Sequence, residues 1–144
     1  MKKLNQLKNI LTTWFENHRQ ISSVYYSDDF DFNAERNINY PVSNIEWMES
    51  NVNGKKTTHT YKIILADLLD DNIKGHEDEI FSDMMLIAED LFAWAQDEEG
   101  FEFSKSINIQ KFVDDAGDRT AGITFRIQIS TVRSQNVCAS PMKL

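Results

Sequence analysis

Cysteine is almost missing from this chain: Cys138 stands alone. An internal disulfide is therefore excluded, and an intracellular origin is the compartment that fits best. Two prolines and five glycines leave little material for Gly-rich phosphate loops. The glycines stand at 54, 75, 100, 117 and 122, in neither a P-loop nor a dinucleotide pattern. No run approaches the roughly 20 apolar residues that a membrane-spanning helix needs. The N-terminal segment lacks the continuous apolar core and small-residue cleavage site of a signal peptide. Basic charge is also short. Against 23 Asp and Glu there are 15 Lys and Arg, a formal net charge of -8, which argues against general nucleic-acid binding. It suits a protein that stays soluble or meets a basic surface.

Three histidines and one cysteine, widely spaced, make no zinc ligand set. No Gly-x-Ser-x-Gly is present, and no histidine has a catalytic motif around it. The expectation is a protein that is not an enzyme, with no metal and no cofactor. Two acidic clusters were tested as cation sites. Asp28, Asp29 and Asp31 lack the further carboxylates that six or more oxygen ligands demand. An EF-hand starting at Asp70 would put Lys74 at a ligand position and Phe81 where the bidentate Glu belongs.

What is present is 41% hydrophobic residues, enough for a folded core, in 144 residues that read as one domain over 1–132. The chain is organised around residues 76–99. Ile80, Met84, Ile87, Leu91 and Trp94 form one apolar row, and Phe81, Met85, Ala88, Phe92 and Ala95 a second beside it. Glu77, Asp78 and Glu79 oppose the positive end of the helix dipole. Gly75 precedes this helix and Gly100 follows it. The Met, Phe and Trp residues of its apolar face read as core packing, with a ligand pocket as the alternative.

Residues 3–20 predict a second amphipathic helix, with Leu4, Leu7, Ile10, Leu11, Trp14, Phe15 and His18 on one stripe. His18 reads as a hydrogen-bonded edge residue. Residues 21–33 are aromatic and β-prone, and 34–41 are a connector ending at Pro41, which marks a strand beginning or an edge. Residues 42–52 read as extended, although Trp47-Met48 blurs the alternation. Asn53-Gly54 then predicts a two-residue type I′ hairpin turn, with a return strand from Lys56 to Leu69. Tyr61, Ile63 and Leu65 take one face with His59, and Thr58, Thr60 and Lys62 the other. An acidic loop containing Asp67, Asp70 and Asp71 leads to the central helix. After Gly100 a strand over 101–115 is expected, then a turn at 114–118 and a strand over 123–130 that alternates without a break. Residues 133–144 have no period and read as a flexible tail or an arm. The fold class is α+β: an antiparallel or mixed sheet of about five strands with two helices packed on one face.

This order of elements carries a resemblance. A short N-terminal helix, the INYP connector (Ile38 to Pro41), the Asn-Gly hairpin, the acidic loop, the long helix opening HEDEIFSDMMLIAEDL and a closing hairpin resemble small neck and tail-completion proteins of tailed bacteriophages. The likeness is to tail terminator-like members from phages of Bacteroidetes-type hosts. It implies a virion protein assembled in the host cytoplasm, several copies of which form a homo-oligomeric ring. That ring would contact other neck, tail or portal proteins and let DNA pass through its channel without specific binding. On this resemblance, Asn53, Gly54, Lys55 and Lys56 of the hairpin, Asp67, Asp70 and Asp71 of the acidic loop, Asp114, Asp115 and Asp118 of the turn, and Arg133 are the interface candidates. Two readings from other classes stay open. One is an acidic adaptor or inhibitor binding a basic protein, and the other a small-ligand-binding α+β domain.

Overall fold

The computed structural model describes residues 4–27, 38–114 and 118–132. Helix α1 (Leu4–Asn17) leads to strand β1 (Ser23–Tyr26), followed by the long strands β2 (Val42–Asn53) and β3 (Lys56–Leu68). Helix α2 (His76–Asp97) follows, then β4 (Glu102–Phe103), β5 (Ile109–Asp114) and β6 (Thr120–Val132). Six strands form one mixed sheet in the order β1-β2-β3-β6-β4, with β5 also pairing β6. β1 runs parallel to β2 and every other pairing is antiparallel. An α+β class with helices packed on the sheet is therefore the architecture, with one strand more than the sequence suggests.

The extra strand comes from the segment after Gly100. Only Glu102–Phe103 and Ile109–Asp114 join the sheet, both along the outer side of β6. Ser104 ties the gap to that strand, since its N–H donates to the Gln128 carbonyl and its Oγ accepts from the Gln128 N–H. A single run of β-prone residues thus becomes two short edge pieces.

Strict alternation decides which way each central strand faces. Tyr61, Ile63 and Leu65 of β3 and Ala121, Ile123, Phe125, Ile127 and Ile129 of β6 point into one cluster. Leu7, Leu11 and Phe15 of α1 and Ile80, Met84, Ile87, Ala88 and Leu91 of α2 cover it. Fully burying side chains of this size is worth about 1.5–3 kcal/mol each. Trp14 meets Trp94 at 5.9 Å between ring centroids, and His18 Nε2 donates to Asp90 Oδ2 at 3.0 Å. The two helices therefore lie side by side and antiparallel. His18 Nδ1 accepts from the Gln20 N–H, which leaves the ring proton on Nε2, so this histidine is the hydrogen-bonded edge residue its position suggested.

The hairpin turn sits one residue later than Asn53-Gly54 implies. Asn53 pairs with Lys56, so the two loop residues are Gly54 and Lys55, with Gly54 at φ 60°. Glycine is still the residue that permits the turn, now at its first loop position. A second irregularity lies between Trp47 and Glu49, where β2 bulges at Met48. That is where the sequence alternation blurs.

Candidate functional site

The β3 strand, 13 residues long, spans roughly 40 Å and separates the interface candidates into two groups. Asn53, Gly54, Lys55 and Lys56 are at one end of the sheet. Asp67, Asp70, Asp71, Asp114 and Asp118 converge at the other, because β3 ends at Leu68 opposite Thr120, where β6 begins. Asp115 and Arg133 lie outside the described residues.

The acidic end is held by specific contacts. The Leu69 N–H donates to the Arg119 carbonyl at 3.0 Å, which joins the loop after β3 to the turn before β6. Arg119 grips Asp71 with Nε at 2.7 Å and Nη2 at 3.2 Å, a two-pronged pair. Both groups are well exposed, so the pair orients the loop more than it stabilises the fold. Asp70 Oδ1 accepts from the Asn72 N–H, and its own N–H donates to His76 Nδ1 at 2.9 Å. Asp67 Oδ1 accepts from the Leu68 N–H. The Tyr40 hydroxyl donates to Asp118 Oδ2 at 3.1 Å. Burial first, and then the Asp118 carboxylate it bonds, push the Tyr40 pKa up to about 12. The carboxylates are thus spent on turns, a tyrosine and an arginine. Among the described residues no three His, Cys, Asp or Glu are grouped so as to hold a metal ion.

At the hairpin end, Lys56 Nζ reaches both carboxylate oxygens of Glu102, at 2.9 and 3.0 Å. Lys55 is exposed. Neighbouring apolar groups are exposed too: Val52 at 58% and Val132 at 59%.

One polar constellation was not foreseen from the sequence. Trp47 Nε1 donates to Ser50 Oγ at 3.0 Å, and Ser50 Oγ donates to His59 Nδ1 at 2.6 Å. In a regular strand residues 47 and 50 face opposite sides. The bulge at Met48 adds the residue that brings both to the helix-bearing face. Burial holds the His59 pKa below its ordinary value, which keeps Nδ1 an acceptor near neutral pH. A serine bonded to an imidazole is half of a nucleophilic pair, but no carboxylate among the described residues orients this ring, and the serine already accepts from Trp47. The trio works as a clip across the β2–β3 ladder. The blurred alternation at Trp47-Met48 was its only sequence signal.

The apolar face of α2 is filled. Met84 is 1% exposed, and Phe81, Met85, Phe92 and Trp94 pack against the same core. A broad groove of about 620 Å³ lies on the opposite face of the sheet, lined by groups such as Thr60, Lys62, Gln110, Arg126 and Gln128. No helix among the described residues is long and apolar enough to cross a membrane. No protein-family model matches the chain, and no curated protein matches it significantly.

Proposed function

We propose that this protein is a structural subunit of a tailed-phage virion that forms a ring at the neck or tail junction, as a tail-completion or head–tail joining protein without catalytic activity. One observation carries the reading: the sheet has two dissimilar open edges. On one side β1 covers only Val42–Ile45 of β2, so residues 46–53 have β3 as their sole strand neighbour among the described residues. On the other side the short strands β4 and β5 form the rim beside β6. A sheet whose two edges differ joins copies head to tail, the heterologous contact from which closed rings are made. The β2–β3 hairpin tip and the acidic end project from opposite ends of the same sheet, which suits contacts to different neighbouring proteins above and below a ring. An acidic surface turned to a channel repels DNA and lets it pass.

Size-exclusion chromatography with light scattering, followed by negative-stain electron microscopy, tests this. A closed ring of fixed copy number is expected at high protein concentration. The concentration of Asp67, Asp70, Asp71, Asp114 and Asp118 at one end favours a second reading, an acidic adaptor for a basic protein. That reading expects a monomer whose partner affinity falls steeply as salt rises.

A further inference from the structure

We infer that the open lane beside residues 46–53 of β2 is the acceptor for the C-terminal segment of a second copy, Arg133–Ser140, added as an antiparallel strand. This rests on the ring reading and names the contact that closes it. Residues 47–53 are all exposed, and among them Trp47 is 44% and Val52 58% exposed, an apolar rim on an unpaired edge. An edge of this kind offers main-chain groups for strand addition and shallow side-chain pockets for selectivity.

The occupant is argued from length, charge and reach. β2 has 12 residues, four of them matched by β1, so eight remain. From Arg133 the chain has eight residues before Pro141, which has no N–H to give to a ladder. Arg133–Leu144 contains Arg133 and Lys143 and no Asp or Glu, on a chain of net charge -8, while the lane contains Glu46 and Glu49 and no cation.

Reach excludes the chain's own tail. β6 ends at Val132 opposite Lys56, and Lys56 is paired with Asn53. Crossing from β6 past β3 and β2 to the outer lane spans three strand spacings, about 14 Å, and consumes at least four or five extended residues. Three or four would then remain before Pro141, too few to fill the lane. A tail donated by a neighbour keeps all eight. The bulge at Met48 also twists this edge away from long, flat pairing with another β2, whereas a short segment built from Ser134, Asn136, Val137, Cys138 and Ala139 adapts to it.

The test uses full-length chains. Because Cys138 is the sole cysteine, Glu49→Cys or Asn51→Cys creates the only possible disulfide partner along the lane. Mild oxidation is expected to give interchain-linked species on a non-reducing gel. Val137→Pro interrupts the tail without touching the described fold, and light scattering is expected to show the oligomer lost. A fluorescent peptide of residues 133–144 should bind the Val137→Pro protein, and the same peptide carrying that proline should bind at least tenfold more weakly. An oligomer that survives Val137→Pro, with neither cross-link nor peptide binding, overturns the tail assignment and leaves the ring reading standing. Peptide binding and cross-linking in a protein that never exceeds a dimer support the tail contact and count against the ring. A monomer that neither cross-links nor binds the peptide overturns both.

Discussion

Gly122 sits in the middle of the most extensive pairing of the sheet, and replacing it with alanine offers the sharpest test of the β3–β6 register. A Cβ at Gly122 would stand 2.0 Å from the Leu65 carbonyl oxygen, 2.8 Å from the Ala66 Cα and 2.9 Å from the Leu65 carbonyl carbon. All three are backbone atoms of β3, so no side chain can swing away. Restoring ordinary contact requires the strands to separate by more than about 1 Å, enough to break the nearest ladder hydrogen bonds, worth about 1 kcal/mol each. Overpacking of a tight interior adds about 1–3 kcal/mol. The expected loss for Gly122→Ala is about 3–5 kcal/mol, a large part of the 5–15 kcal/mol typical of a domain. It should lower the melting temperature by roughly 10–20 °C. Gly54→Ala is the internal control. Nothing lies within 4 Å of the added carbon there, and only the φ of +60° opposes it, at about 1–2 kcal/mol. Urea denaturation followed by circular dichroism measures both. A Gly122→Ala protein within 1 kcal/mol of its parent, or one more stable than Gly54→Ala, refutes the close approach of β3 and β6.

Tyr61 is fully buried with its hydroxyl unpartnered, so Tyr61→Phe should leave stability unchanged or raise it by up to about 1 kcal/mol, and a clear loss in urea melts would reveal a hidden partner. His59 has its pKa lowered by burial, so its contribution is present above the free value of 6.5 and declines as pH falls below it. Melting temperature against pH should show that acid-side decline in the parent and a weaker one in His59→Gln. Tyr40 behaves oppositely: its pKa is raised from 10.0 to about 12, so its contribution holds below pH 10 and is lost as pH climbs through that interval. A Tyr40→Phe protein with an unchanged alkaline profile would count against the Tyr40–Asp118 bond. Arg119→Ala should cost less than about 1 kcal/mol globally, because the pair is exposed, yet hydrogen exchange at residues 69–73 should speed up.

The two helices, the central hairpin and the closing strand were legible because each is a strong periodic pattern. Ile80, Met84, Ile87 and Leu91 repeat at helical spacing, and Ile123, Phe125, Ile127 and Ile129 alternate. Both faces so named are the buried ones. Where the pattern weakened, prediction drifted. The segment after Gly100 was read as one strand because local β-propensity does not reveal that residues 104–108 leave the β6 edge. The turn was placed one residue early because Asn53 suits both a loop position and the last ladder pair, and only the register with Lys56 decides between them.

The interface candidates show the same division. That Asp67, Asp70, Asp71, Asp114 and Asp118 are turn-forming acids is a local property of the sequence. That they share one end of the sheet, roughly 40 Å from Asn53, Gly54, Lys55 and Lys56, follows from the antiparallel pairing of β3 with β6. Composition, charge and hydrophobic period are summed over neighbours in the chain, so the sequence by itself determined the element types, the buried faces and the acidic character. Strand order, the parallel entry of β1, the bulge that assembles Trp47, Ser50 and His59, and the lane left open along residues 46–53 depend on which segments meet across long stretches of chain. Those were decided only when the tertiary structure closed the loops between them.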